Sequence, residues 1–209
     1  MTLVELTIII ALTSILAAII APLGRSMIIR SHAINCSQNL RQIGMASMLY
    51  AGDNHQTLPQ SMHQKAAGGN SWRVTLQPYA SGTVTFKCKE DPDRRRTFTY
   101  VLNDYLTPRP SGAPPDFNYS ILAKIDAPQA TLMFAEASTS FLNSDHFHFA
   151  EYYGQRMPPS AFESQVGVGF HGRRANYLFA DGHVETLSWI EVQARLSKPG
   201  TRFLNPSGI

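Results

Sequence analysis

Four groups of residues in this sequence carry the means for chemistry. Glu5 is an ionisable side chain at the edge of an apolar run that continues to Leu23. A carboxylate beside hydrocarbon is costly, so it calls for a cationic partner, or for headgroup water within its reach. Cys36 and Cys88 lie too far apart for a CxxC arrangement, which excludes a zinc ribbon and a thioredoxin-like motif. In an exported protein one disulfide is the simplest use of two cysteines, with free structural thiols as the alternative. His171 is followed, after nine residues, by Asp181-Gly182. Finally, Asp145, His146, His148 and His183 offer the imidazole and carboxylate groups that bind zinc or nickel.

For the last group a plainer reading is the stronger. Asp181 is explained by a turn, His183 follows it directly on a strand, and His146 and His148 alternate with Phe147 and Phe149 as on a strand with one polar face. Calcium on loop carboxylates is no worse a candidate than zinc, so no metal and no cofactor is assigned. The sequence has no GxSxG elbow, no phosphate-cradling P-loop, no HExxH and no CxxCH. An enzyme is therefore not expected. Over 209 residues, 18 basic and 15 acidic side chains leave a formal charge of +3, and the basic residues are scattered apart from Arg94, Arg95 and Arg96. This is no footprint for nucleic acid.

The elements that must position these residues fall into three parts. Residues 1–24 read as a hydrophobic half-helix. The stretch Leu6 to Leu23 carries no charge, and its 18 residues would span about 27 Å as a helix, close to a bilayer's hydrocarbon thickness. No basic residue precedes it, which implies that a basic leader has been removed. Arg25 and Arg30 alone would place the remainder in the cytoplasm, and a lost basic leader reverses that orientation. Pro22 and Gly24 predict a bend or a melted turn. Residues 25–54 read as an amphipathic half-helix, with Ile28, Ile29, Ala33, Ile34, Cys36, Leu40, Ile43, Gly44, Ser47 and Met48 at steps of three and four, stopping near Asp53, Asn54 and Pro59.

Residues 55–209 read as a β-rich head. Strands are expected at Thr83 to Lys87, Thr97 to Leu102, Thr131 to Ala135, Asn176 to Ala180 and His183 to Trp189, in a mostly antiparallel sheet, with a short helix or turn from Trp72 to Tyr79. Asp181-Gly182 predicts a two-residue hairpin turn of type I′. Thr107 to Asp116 and Met157 to Gly169 are dense in Pro, Gly and Ser and read as surface loops, and the tail from Lys198 as extended or loosely ordered.

Met1-Thr2-Leu3-Val4-Glu5-Leu6 followed by an apolar run resembles the mature N-terminus of type IV pilins and type II secretion pseudopilins. The resemblance implies cleavage by a prepilin peptidase just before Met1, methylation of the Met1 amine, and pairing of Glu5 with the N-terminal amine of a neighbouring subunit. Met stands where Phe is the commoner first residue. Pro22 matches the position near which the family's helices bend or melt. A second set of blocks, Cys36-Ser-Gln-Asn-Leu-Arg-Gln-Ile-Gly-Met-Ala, Lys87-Cys88-Lys-Glu-Asp91 and His171 with Asp181-Gly182, is similar to a pilin-like family defined by that closing pattern. It implies a disulfide from the helix at Cys36 to the loop at Cys88. The calcium-binding loop of major pseudopilins has no recognisable counterpart.

The expectation is therefore an α+β, type IV pilin-like fold, with a long N-terminal α-helix packed against a C-terminal antiparallel β-sheet head. The expected function is a structural subunit of an extracellular pilus-like filament, an identical-subunit homopolymer held in the inner membrane before assembly with its head in the periplasm. By resemblance its partners are a prepilin peptidase, an assembly ATPase and an inner-membrane platform protein. A periplasmic pseudopilin of a type II secretion system is the first alternative. A membrane-tethered metal-binding or ligand-binding module is the second.

Overall fold

The computed structural model describes residues 2–62, 70–80, 85–108, 118–141, 144–148, 152, 155 and 157–208; within this set the side chains of residues 22, 23 and 25 are left aside. Met1 lies outside the described residues, as do residues 83–84 of the first expected strand and residues 109–116 of the first expected loop.

Helix α1, Leu3–Asp53, is the spine of the molecule, 51 residues and about 77 Å long. It opens on a capping box in which Thr2 Oγ1 accepts from Glu5 N–H and the Glu5 carboxylate accepts from Thr2 N–H at 2.7 Å. The melted turn expected as one outcome at Pro22 and Gly24 does not occur, since the helix is one continuous element across both. A proline removes one donor from the ladder, and in a long helix the bonds of the flanking turns carry the conformation past it. The helix ends where His55 and Gln56 take positive φ and Gln56 N–H bonds back to the Ala51 carbonyl.

A short helix α2, Trp72–Thr75, leads into a single 3₁₀ turn at Gln77–Tyr79, as the sequence suggests. The sheet is built from β1 (Tyr100–Asn103), β2 (Leu132–Glu136), β3 (His146–Phe147), β4 (Arg174–Phe179) and β5 (Val184–Ser188) in the order β3-β1-β2-β4-β5. Three of the four pairings are antiparallel, whereas β1 and β3 run parallel at one edge. Residues 85–87 form no strand.

The sheet separates two apolar cores. On one face Tyr100, Leu102, Phe134 and Leu178 pack with Cys36, Leu40, Ile43 and Ala46 of α1, and with Trp72. On the other, Val101, Ala135, Tyr177 and Phe179 pack with helices α3 (Pro159–Gln165) and α4 (Trp189–Ser197) and with Phe203 and Leu204. Two expectations are corrected here. Met157 to Gly169 contains α3, since paired prolines at its start suit the first turn of a helix and Phe162 anchors it in the core. The tail is not loose, because Phe203 and Leu204 are buried, Phe203 O accepts from Leu132 N–H, and Leu204 O accepts from the Asn103 side chain.

The hairpin of β4 and β5 forms as expected, with a different turn. Phe179 and His183 close a three-residue loop of Ala180, Asp181 and Gly182, in which Gly182 alone has positive φ, at 92°. This is a type I turn with a bulge at glycine, not type I′, because Asp181 keeps an ordinary backbone and only one position needs glycine's freedom. Two successive positive φ values occur instead at Gly172 and Arg173, where His171 N–H bonds to Arg174 O at the entrance to β4.

Candidate functional site

The junction between spine and head gathers most of the buried chemistry. Cys36, on the inner face of α1, is joined by a disulfide to Cys88, in the loop before β1, with Cα atoms 5.3 Å apart. Both residues are fully buried. Beside the bridge, His171 Nε2 lies 3.5 Å from Cys88 Sγ and 2.7 Å from Glu136 Oε1. Glu136 ends β2, and its second oxygen accepts from the Asn176 backbone N–H at 3.1 Å. The ligand-type atoms of Cys36, Cys88, Glu136 and His171 all lie within 4.8 Å of one another.

Around this centre the sheet grips the carbonyls of α1 directly. Tyr100 donates its hydroxyl to Cys36 O at 3.2 Å, and the Asn176 amide donates to Ala33 O at 3.0 Å while its oxygen accepts from Thr186. Burial, reinforced by the nearby Glu136 carboxylate, raises the Tyr100 pKa well above its ordinary value, so the phenol stays a donor. The loop that carries Cys88 is set by Thr99, whose hydroxyl accepts from Cys88 N–H and donates to the fully buried Asp91 at 2.6 Å. Arg96 lies 3.6 Å from Asp91 and bonds the carbonyls of Ala137, Ser138 and Phe141. The Lys87 ammonium sits in a cradle of the Asp93, Arg94 and Arg96 carbonyls. On the outer rim, His32 of α1 pairs with Glu90.

The group of Asp145, His146, His148 and His183 does not assemble. His146 is on β3 and His183 adjoins β5, at opposite edges of the sheet, about 19 Å apart at the usual strand spacing. Asp145 is committed elsewhere, accepting from Met62 N–H, from the Ser71 hydroxyl and from His146. Burial disfavours its charge, but those hydrogen bonds outweigh it and hold its pKa below the ordinary carboxylate value. The His146 and His148 rings lie side by side with centroids 5.4 Å apart, tilted by 33°.

Asp181 and Gly182 are likewise away from His171's chemistry. Asp181 caps its own turn, accepting from His183 N–H and contacting His183 Nδ1 at 2.5 Å, while His183 Nε2 faces Glu185 and Glu185 accepts from Arg195. The spacing from His171 to Asp181-Gly182 is thus the length of β4 plus its two turns, with the histidine at one end facing the disulfide and the glycine turn at the other.

Sequence reading missed Glu136, Asn176 and Asp91. Glu136 closes an otherwise apolar strand, Leu132 to Ala135, and a lone acid ending such a run is a signal that it has a buried partner.

At the far end of the molecule the apolar half of α1 has no such company. Leu3, Val4, Leu6, Ile8, Ile9, Ile10, Leu12, Ile15, Leu16, Ile19 and Ile20 are each more than two-fifths exposed, and none of its most apolar 18-residue window is buried by the head. By length and composition this helix is able to cross a membrane. Glu5 is exposed, and its described hydrogen bond is to its own Thr2.

Fold and site together define an α+β protein of pilin-like layout: a long helix, bare and apolar at its N-terminal end and disulfide-stapled at its other half to an antiparallel-rich sheet. Compared with protein-family models, with curated proteins and with solved structures, the chain finds no match in any of the three.

Proposed function

We propose that this chain is a structural subunit of a type IV pilus-like filament, polymerised through the N-terminal half of α1, and not an enzyme. The observation that carries the reading is the apolar surface from Leu3 to Ile20, which the head leaves uncovered on a helix that it grips firmly from Cys36 onward. Such a surface needs lipid or the same surface of neighbouring helices. Moving it from lipid into a helix bundle changes apolar burial little, so assembly rests on close packing and on polar pairing. Glu5 suits the pairing role: its carboxylate stands at the tip of the helix, is exposed, and exchanges a local bond to Thr2 N–H for a neighbour's terminal amine. The reading places the subunit in the inner membrane before assembly, with the head in the periplasm. Prepilin peptidase, an assembly ATPase and a platform protein are its partners by the resemblance of the N-terminal motif.

The test is electron microscopy of sheared surface material from cells expressing the native sequence or Glu5→Ala, with mass spectrometry of the N-terminus. Filaments containing N-methylated Met1, lost in Glu5→Ala while the head stays folded, are the expected result. A membrane-bound monomer with an unmodified terminus, indifferent to Glu5→Ala, rejects the proposal.

A further inference from the structure

We infer that the reduced form of this protein binds one zinc ion between Cys36, Cys88, Glu136 and His171. The inference is independent of whether the chain polymerises. It starts from placement: four segments distant in sequence, namely α1, the loop before β1, the end of β2 and the turn before β4, deliver two sulfurs, a carboxylate oxygen and an imidazole nitrogen to one point. The two cysteines and Glu136 are fully buried and His171 is 5% exposed. With zinc–sulfur bonds of about 2.3 Å and zinc–nitrogen or zinc–oxygen bonds of about 2.0 Å, neighbouring ligand atoms of a tetrahedral site stand roughly 3.3–3.8 Å apart. The 3.5 Å from Cys88 Sγ to His171 Nε2 already meets this, and the 2.7 Å from His171 to Glu136 has to open by roughly 0.6 Å. The sulfurs, once the bond between them is broken, part to the same range.

The surroundings match a ligand set. The Asn176 N–H holds Glu136 Oε2, leaving Oε1 facing the cluster. His171 presents Nε2 to the cluster, facing both Cys88 Sγ and Glu136 Oε1. Two thiolates with an imidazole and a carboxylate select zinc over calcium or magnesium, which take oxygen ligands.

The chemistry balances. Two thiols of a reductant supply two electrons and two protons to the Cys36–Cys88 bond and leave as a disulfide, whereas a phosphine supplies the two electrons and becomes a phosphine oxide, with water giving the oxygen and both protons; either route yields two thiols. Zinc binding then displaces both thiol protons as the sulfurs become thiolates. A disulfide oxidant takes two electrons from the two thiolates and is itself cleaved to two thiolates, the Cys36–Cys88 bond reforms, and the zinc ion leaves. In both states α1 stays tied to the Cys88 loop, by a covalent bond in one and through the metal in the other.

The experiment uses the full chain in detergent micelles, oxidised or reduced with a phosphine and freed of reductant, titrated with cobalt(II) and then with zinc(II). The reduced chain is expected to give a tetrahedral cobalt spectrum with thiolate-to-cobalt charge transfer, saturating at one ion per chain and erased by zinc, while the oxidised chain gives none. Zinc-edge X-ray absorption on the reduced native sequence should show two sulfur and two nitrogen or oxygen neighbours, a readout that requires no variant. His171→Gln should weaken binding by more than about 100-fold, beyond the loss typical of an outer-shell partner, and His146→Gln should leave it unchanged. Octahedral cobalt without charge transfer, a shell lacking sulfur, equal binding by the oxidised chain, or undiminished affinity in His171→Gln overturns the inference.

Discussion

Ile15 and Ile43 are the same residue type on the same helix, yet Ile15 is 59% exposed and Ile43 is wholly buried against the sheet. The glycines of α1 differ in the same way. A Cβ at Gly24 would meet nothing within 4 Å, whereas a Cβ at Gly44 would stand 3.0 Å from Leu178 Cδ1. Toward its C-terminal end α1 is a core element, set by packing against β4 and β5 and by hydrogen bonds to Ala33 O and Cys36 O. Its N-terminal half is an apolar rod held by its own backbone ladder, the Thr2–Glu5 cap and local bonds from the Thr7, Thr13 and Ser14 hydroxyls to carbonyls of the preceding turn. One continuous helix thus serves two environments, and hydrophobicity alone does not separate them. What separates them is whether the head supplies a complementary surface.

The sharpest way to break this contrast is to remove the staple that marks the boundary. The Cys36–Cys88 bridge spans 52 residues of sequence, and closing a loop of that length restricts the unfolded chain by about 4 kcal/mol. Cys88→Ser is expected to lower the head's stability by roughly that amount, seen as an earlier urea midpoint under oxidising conditions, with helicity of the N-terminal half unchanged. Next, Ile43→Ala should cost about 2–5 kcal/mol by leaving a cavity, against less than about 0.5 kcal/mol for Ile15→Ala in detergent. Equal effects of the two in denaturant titrations would erase the distinction between the halves.

A smaller contrast lies in the glycines. Gly24→Ala should stabilise the helix by about 1 kcal/mol through propensity alone. Gly44→Ala gains the same propensity, but overpacking against Leu178 costs about 1–3 kcal/mol, so thermal unfolding should shift downward or stay level. The smallest effect concerns the β4–β5 hairpin. Burial pushes the His183 pKa down, but contacts to Glu185 and Asp181 outweigh it and leave it raised, so its stabilisation is complete below about pH 6.5 and is lost as pH rises through the folded value. Asp181 and Glu185 are both lowered, each against the opposing effect of burial, by bonds to His183 for the first and to Arg195 and His183 for the second. Their contribution is present above the ordinary carboxylate range and lost as pH falls through the folded values. Hairpin amide protection should therefore peak between about pH 4.5 and 6.5, by less than about 1 kcal/mol since the groups are partly exposed. His183→Ala should flatten that maximum.

Much of the architecture is legible in local pattern. The uncharged run, the three-and-four spacing from Cys36 to Ser47, and the strands at Tyr100, Leu132, Arg174 and Val184 follow from periodicity, because hydrophobic residues must face something apolar at the repeat of the element that carries them. Helix α4 is not among the expected elements, and the expected strand runs on to Trp189, although Ser188 with Glu191 three residues on is the pattern of a capping box. Long-range placement was not legible. The sequence of β3 says nothing of its pairing parallel to β1 at one edge while His183 sits at the other, so the histidines that look like a cluster in the text are scattered in space. The pairing of Cys36 with Cys88 followed from resemblance, but the arrival of Glu136 and His171 beside it did not.

A helix with an apolar end, an amphipathic continuation and a β-rich head follow from the residue order alone, because hydrophobic periodicity and turn residues act over a few neighbours. It took the folded chain to show that the tail closes the second core through Phe203, and that two sulfurs, a carboxylate and an imidazole meet under the spine. These outcomes depend on strand order and on packing between segments far apart in the chain, where one residue's environment is set by partners that no local pattern names.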